Sequence, residues 1–222
     1  MAEKGVIVEF DFTVLNGAQI LYDTTRKLLK ELDNIELDLP KEAKYLAGGN
    51  YQGGLAELFA AVKTKKTSQK AARELAIAFE AALVQAIPQS ITPAFRNFLK
   101  ILTDKGVKVI LATRANLEKV QSAFESILGD NVVLYHEGSS CYGSVKWDSW
   151  RRVCSDMRLR HVSTIAVTGS GFGVKSALLA GMGAMAVIND HVAYQDFSGA
   201  DAIVKDLSSA SAKTLLSIMR IG

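Results

Sequence analysis

Five short apolar runs, at 6–8, 107–112, 132–135, 163–167 and 184–188, restrict this chain more than any other feature. Short, largely apolar runs of this kind suit strands that are covered on both faces, as in a parallel sheet. From Gly106 onward these runs alternate with helical stretches at 116–128, 147–158, 174–180 and about 209–219. Such alternation calls for crossover helices between parallel strands. The segment between the first run and Gly106 differs. Ile20, Leu21, Leu28, Leu29 and Leu32 form one apolar helical stripe, and Leu-Asp-Leu-Pro at 37–40 breaks it. Four Gly in 47–54 mark a loop, because Gly is unfavourable inside a helix. Helical stretches follow at about 55–62 and 68–86, and Pro88 and Pro93 close the segment. Thr92-Pro93 starts a helix carrying Phe95, Phe98, Leu99 and Leu102. The expectation is a doubly wound α/β parallel sheet built from 1–16 and 91–222, with a helical insertion at 17–90.

A hydrophobic content of 49% over 222 residues supports a folded core of this size. The net charge of +3 is mild and dispersed, and the densest basic cluster, Lys63, Lys65 and Lys66, reads as a solvated loop. Nucleic acid is therefore not an expected partner. No apolar run approaches the roughly 20 residues that span a bilayer, and no secretory leader is visible. Cys141 and Cys154 read as reduced thiols outside any metal-ligand spacing, so the expected setting is cytoplasmic, with no membrane partner.

The chemistry concentrates at the end of the first run, Gly-Val-Ile-Val-Glu-Phe-Asp-Phe-Thr-Val-Leu-Asn at 5–16. On an extended chain Glu9 and Asp11 point the same way, at the C-terminal end of a buried strand. Two such acids need a cation, a proton or hydrogen-bond donors, unless the strand end simply meets water. The stretch resembles the first motif of haloacid-dehalogenase-type phosphohydrolases, Asp-x-Asp-x-Thr, and the likeness extends over essentially the whole chain. The nearest branch is the phosphoglycolate-phosphatase and β-phosphoglucomutase-like one. The resemblance implies a Rossmannoid core with a helical cap inserted after the first motif. It puts Glu9 at the nucleophile position, where the family has Asp, and Asp11 at the acid/base position.

Further positions follow from the same resemblance. Thr113 ends the second strand and stands where the family's hydroxyl holds the phosphoryl group; the lesser alternative is that it caps the helix beginning near Asn116. Thr13 and Arg114 fall beside it as phosphate contacts. Lys146 occupies the place of the charge-balancing Lys, with Trp147 where relatives have Pro. Asn50, Tyr51 and Gln52 lie where the cap's substrate loop would be, although a plain helix connection fits them as well. The fourth motif, Gly-Asp-Ser-x-x-Asp, is read here as Thr168-Gly169-Ser170-Gly171-Phe172-Gly173. Both magnesium-binding acids are Gly, at 169 and 173, so no metal and no cofactor are expected.

Gly169 to Gly173 also imitates a dinucleotide-binding turn, with Asp190 about 20 residues on. The third Gly of that fingerprint would fall on Val174, which breaks it. The expectation for function is a non-catalytic, phosphatase-like protein that binds a phosphate-bearing small molecule or acts as a regulator. The alternative is an active hydrolase of weak or unusual activity using Glu9 or Asp11.

Overall fold

The computed structural model describes residues 4–46, 51–64, 67–136 and 147–221. Strand β1 (Gly5–Glu9) is central in a sheet ordered β3-β2-β1-β4-β5-β6. The others are β2 (Lys108–Thr113), β3 (Val132–His136), β4 (Thr164–Thr168), β5 (Gly183–Val187) and β6 (Ala202–Val204). Every pairing is parallel. The chain leaves β1 toward β2 and β3, then returns to build β4, β5 and β6 on the other side. The order therefore reverses at β1, and the carboxyl ends of β1, β2 and β4 meet at the switch point where open α/β sheets place their sites.

Both faces of the sheet are covered, which explains the continuous apolar runs. Val6, Val8, Val109, Leu111, Ile165 and Val167 enter one core with Phe10, Leu29, Phe79, Phe98 and Phe124. Ile7, Ile110 and Ala166 point the other way, into a second core with Trp150, Val174 and Ala177. This is the two-residue alternation of a pleated strand with apolar residues on both sides. The second face carries Ala166, Ala177, Ala184 and Ala186, small residues that let a helix lie close to the strands.

Between β1 and β2 the chain forms α1 (Phe10–Thr13), α2 (Gly17–Asp33), α3 (Leu39–Tyr45), α4 (Tyr51–Ala61), α5 (Ser68–Ser90) and α6 (Pro93–Thr103). The sheet half then adds α7 (Leu117–Phe124), α8 (Trp147–Asp156), α9 (Gly171–Leu179) and α10 (Ser209–Ile218). The start of α6 is as the sequence suggests: Pro93 occupies its first turn, and the Thr92 hydroxyl accepts from Phe95 N–H at 3.2 Å. Among the described residues no single helix is long and apolar enough to cross a membrane.

Several local expectations are corrected. Gly53 and Gly54 belong to α4 rather than to a loop. A Cβ on Gly54 would collide with the Tyr45 carbonyl, so the glycine lets α4 start against the end of α3. Helix α5 runs through Pro88 to Ser90, because buried Leu83 and Ile87 hold its last turns against the core. Strand β6 has no counterpart in the sequence reading: its run, Ala202-Ile203-Val204, has only three residues between Asp201 and Lys205, and half of Ile203 is exposed. Cys154 is a free, buried thiol. Lys65, Lys66 and Cys141 lie outside the described residues.

Candidate functional site: a sealed acid pair at the switch point

The strand does not continue through both acids. It ends at Glu9, and Phe10–Thr13 turn at once into α1. The ring of Phe10 anchors this turn, with its centroid 4.7 Å from that of Phe124 and 6.0 Å from that of Phe95. The Thr13 hydroxyl donates to the Glu9 carbonyl at 2.8 Å and ties the turn back to the strand end. Glu9 and Asp11 still converge, through this turn rather than through strand alternation. They are 3% and 1% exposed.

Each acid is saturated by donors from a neighbouring strand end. Glu9 Oε2 accepts from the Thr168 hydroxyl at 2.5 Å and from Gly169 N–H at 3.3 Å. Glu9 Oε1 pairs with Nη2 of Arg114 at 3.3 Å. Asp11 Oδ1 accepts from the Thr113 hydroxyl at 2.7 Å, and Oδ2 accepts from Arg114 N–H at 2.8 Å. Buried carboxylates require this density of donors and positive charge. Arg114 is only 6% exposed. Its guanidinium lies 5.5 Å from the centre of the Phe12 ring, a position that favours a cation. Arg114 therefore faces inward onto Glu9 and covers the acid from the β2 side.

Three amides beside the strand ends are likewise engaged within the chain. Ala115 N–H donates to Thr113 Oγ1 at 3.1 Å, Gly173 N–H to Ser170 Oγ at 3.0 Å, and Gly171 N–H to Gln195 Oε1 at 2.8 Å. Ser170 serves as the N-cap of α9. The two glycines at the family's metal positions are sterically fixed. A Cβ at Gly169 would strike the Phe12 carbonyl oxygen and stand 2.8 Å from its carbon. A Cβ at Gly173 would strike Thr168 Oγ1 and stand 2.9 Å from Thr168 Cβ. The space beside these glycines is filled by α1 and by the end of β4.

The sequence-derived positions thus divide. Glu9, Asp11, Thr13, Thr113, Arg114, Gly169 and Gly173 gather at one place. Lys146 and Asn50 lie outside the described residues, and Tyr51 and Gln52 begin α4. Two contributors were missed. Thr168 carries the same signal as Thr113, a hydroxyl at a strand's carboxyl end. Gln195 lies in a segment without periodicity, and no local pattern points to it. Alongside α1 runs a groove of about 570 Å³, lined by Phe12, Thr13, Gln89, Phe95, Val187 and Lys205 among others. Neither acid lines it. Among the described residues no group of three or more His, Cys, Asp or Glu is placed to hold a metal ion.

No family model matches the sequence, and no curated protein matches it. Solved structures do. The chain is similar to β-phosphoglucomutase from Clostridium difficile, with 14% identity, a TM-score of 0.71, and 98% of this chain and 97% of that one covered. It is similar to CbbY from Rhodobacter sphaeroides in complex with xylulose-1,5-bisphosphate, with 14% identity and a TM-score of 0.69 over 94% and 96% of the two chains. A haloacid-dehalogenase family hydrolase from Deinococcus radiodurans with bound phosphate and sodium has 17% identity and a TM-score of 0.66 over 99% and 97%. At such identities the likeness is one of fold, and the fold of this chain is that of the haloacid-dehalogenase-type hydrolases.

Proposed function

We propose that this protein is a non-catalytic relative of the phosphatases whose fold it shares, acting by binding rather than by turnover and working without magnesium. One observation carries the reading: Glu9, at the nucleophile position, has its carboxylate committed to Arg114, Thr168 and Gly169. A carboxylate nucleophile needs an oxygen aimed at phosphorus, and a misplacement of roughly 1 Å costs about a hundredfold in rate. The rival reading, a weak hydrolase using Glu9 or Asp11, requires both acids to shed buried donors before any chemistry.

The donor set does not fit magnesium. That ion takes hard oxygen ligands in near-octahedral geometry. Carboxylates at 169 and 173 would collide with Phe12 and Thr168, and Arg114 already brings a cation against Glu9. Of the two non-catalytic roles, the geometry favours a regulatory one over phosphate binding. The described amides at 115, 171 and 173 already donate within the chain, so an anion at any of these three would have to displace Thr113, Gln195 or Ser170.

The test is a panel of phosphate esters offered to the purified protein with magnesium, beside Glu9→Gln and Asp11→Asn variants. No turnover above the blank is expected, and inorganic phosphate at millimolar concentration should leave the melting temperature unchanged. Turnover that either variant abolishes would overturn the non-catalytic reading. A phosphate-induced rise in melting temperature would restore the phosphate-binding role.

A further inference from the structure

A third buried acid lies away from the sealed pair. Glu42, on α3, is 7% exposed, and its Oε2 stands 4.0 Å from Nδ1 of His191, in the segment that follows β5. Both atoms are shielded from solvent, and among the described residues neither has a hydrogen-bond partner. Two buried polar atoms left facing each other are costly unless something joins them.

The surrounding groups do not supply it. From α2, the Tyr22 ring packs 5.1 Å from the imidazole, but its hydroxyl donates to the Leu37 carbonyl at 3.2 Å. Asp23, also on α2, adds negative charge near Glu42. From the segment after β5, Tyr194 feels the Glu42 charge, and burial together with that charge raises its phenol. The cations of α3 are occupied: Lys41 pairs with Asp38 at 3.2 Å, and Lys44 lies 4.9 Å from the Tyr45 ring centre.

We propose that α3 is fastened to the segment after β5 by one proton held between Glu42 and His191, and that losing this proton releases the contact. With the proton present, the Glu42 carboxyl donates to Nδ1, and a small approach brings 4.0 Å to hydrogen-bond range. The proton lost at higher pH goes to solvent. It leaves a buried, desolvated carboxylate beside the charge of Asp23.

Burial first, and Asp23 second, push the Glu42 carboxyl from 4.5 up to about 7. The sign follows by linkage. Between those two values the folded carboxyl holds a proton that the unfolded one has released, so its contribution to stability falls as pH rises and is lost through about 7. The device is thus closed in mildly acidic solution and loosens above neutrality.

Hydrogen exchange on the full chain at pH 6 and pH 8.5, corrected for intrinsic rates and referenced to β1, tests this. Peptides covering 39–45 and 189–195 should lose protection about tenfold or more at the higher pH, one pK unit being a factor of ten. Glu42→Gln, whose amide donates at every pH, should keep the low-pH protection throughout. Constant wild-type protection, or the same loss in Glu42→Gln, would overturn the proposal. If the variant does not fold, the carbon-13 carboxyl signal of Glu42 in the wild type decides. An inflection near 7 supports the shared proton, and one near 4.5 rejects it.

Discussion

Arg114 and Glu9 stand 105 residues apart in sequence and meet at 3.3 Å, Nη2 to Oε1, with both side chains nearly closed to solvent. The pair joins the carboxyl ends of β1 and β2 where the fold usually keeps a reactive cleft. Removing one partner of a buried pair leaves an uncompensated charge, at a cost of about 3–5 kcal/mol. Arg114→Met should therefore lower stability by that order in urea denaturation. The double variant Arg114→Met/Glu9→Gln should recover most of the loss, since neither charge then remains. If the double variant is as unstable as the single one, Arg114 acts through packing rather than through Glu9.

Gly169 is where the closure of the site can be read sterically. Its missing Cβ would run into the backbone carbonyl of Phe12, which cannot swing aside as a side-chain end can. Gly169→Ala should cost about 1–3 kcal/mol or more, as overpacking does. Glu9→Asp/Gly169→Asp/Gly173→Asp, which rebuilds the family's acids on paper, should be less stable than wild type and remain inactive. A stable triple variant with magnesium-dependent phosphatase activity would show that α1 moves aside readily.

Phe10 sets where Asp11 lies. Its ring is fully buried between Phe95 and Phe124. Phe10→Ala should cost about 3–5 kcal/mol, the usual range for an emptied aromatic site. Phe10→Leu, which fills more of the space, should cost clearly less. Thermal denaturation of the two variants distinguishes a packing anchor from a residue needed only for its ring contacts.

Asp196 gives a pH dependence opposite in sign to that of Glu42. Its carboxylate accepts from Ser198 N–H at 2.8 Å and pairs with Lys175 at 3.0 Å. The Ser198 backbone and hydroxyl, followed by Lys175, pull its pKa from 3.8 down to about 2. A depressed carboxyl contributes stability above its unfolded value, and that contribution is lost as pH falls through the folded one. Asp196→Asn should melt below wild type at pH 6, and the difference should close between about 3.8 and 2. A gap that persists at the lowest pH would assign the effect to packing instead.

Much of the fold was legible because burial on both faces leaves a direct trace. Val6 to Val8 and the run that became β2 can be continuously apolar only in a covered parallel sheet. β6 was not legible, since a three-residue edge strand with Ile203 half exposed leaves a run too short to tell from a loop. The end of α5 was misplaced because Pro88 signals a stop locally, whereas Leu83 and Ile87 are held by the core.

The sequence by itself determined the α/β alternation, the long helical segment after the first strand, and which residue types meet at the switch point. Those properties follow from periodicity and from residues near one another in the chain. Only the tertiary structure decided what these residues do. Arg114 turns onto Glu9, Thr168 reaches the same carboxylate, Gln195 accepts from Gly171, and Glu42 faces His191. Each of these contacts joins strand ends, helices or loops distant in sequence. Their geometry is set by how the sheet and helices pack, because a side chain's partners depend on its surroundings in space rather than on its neighbours along the chain.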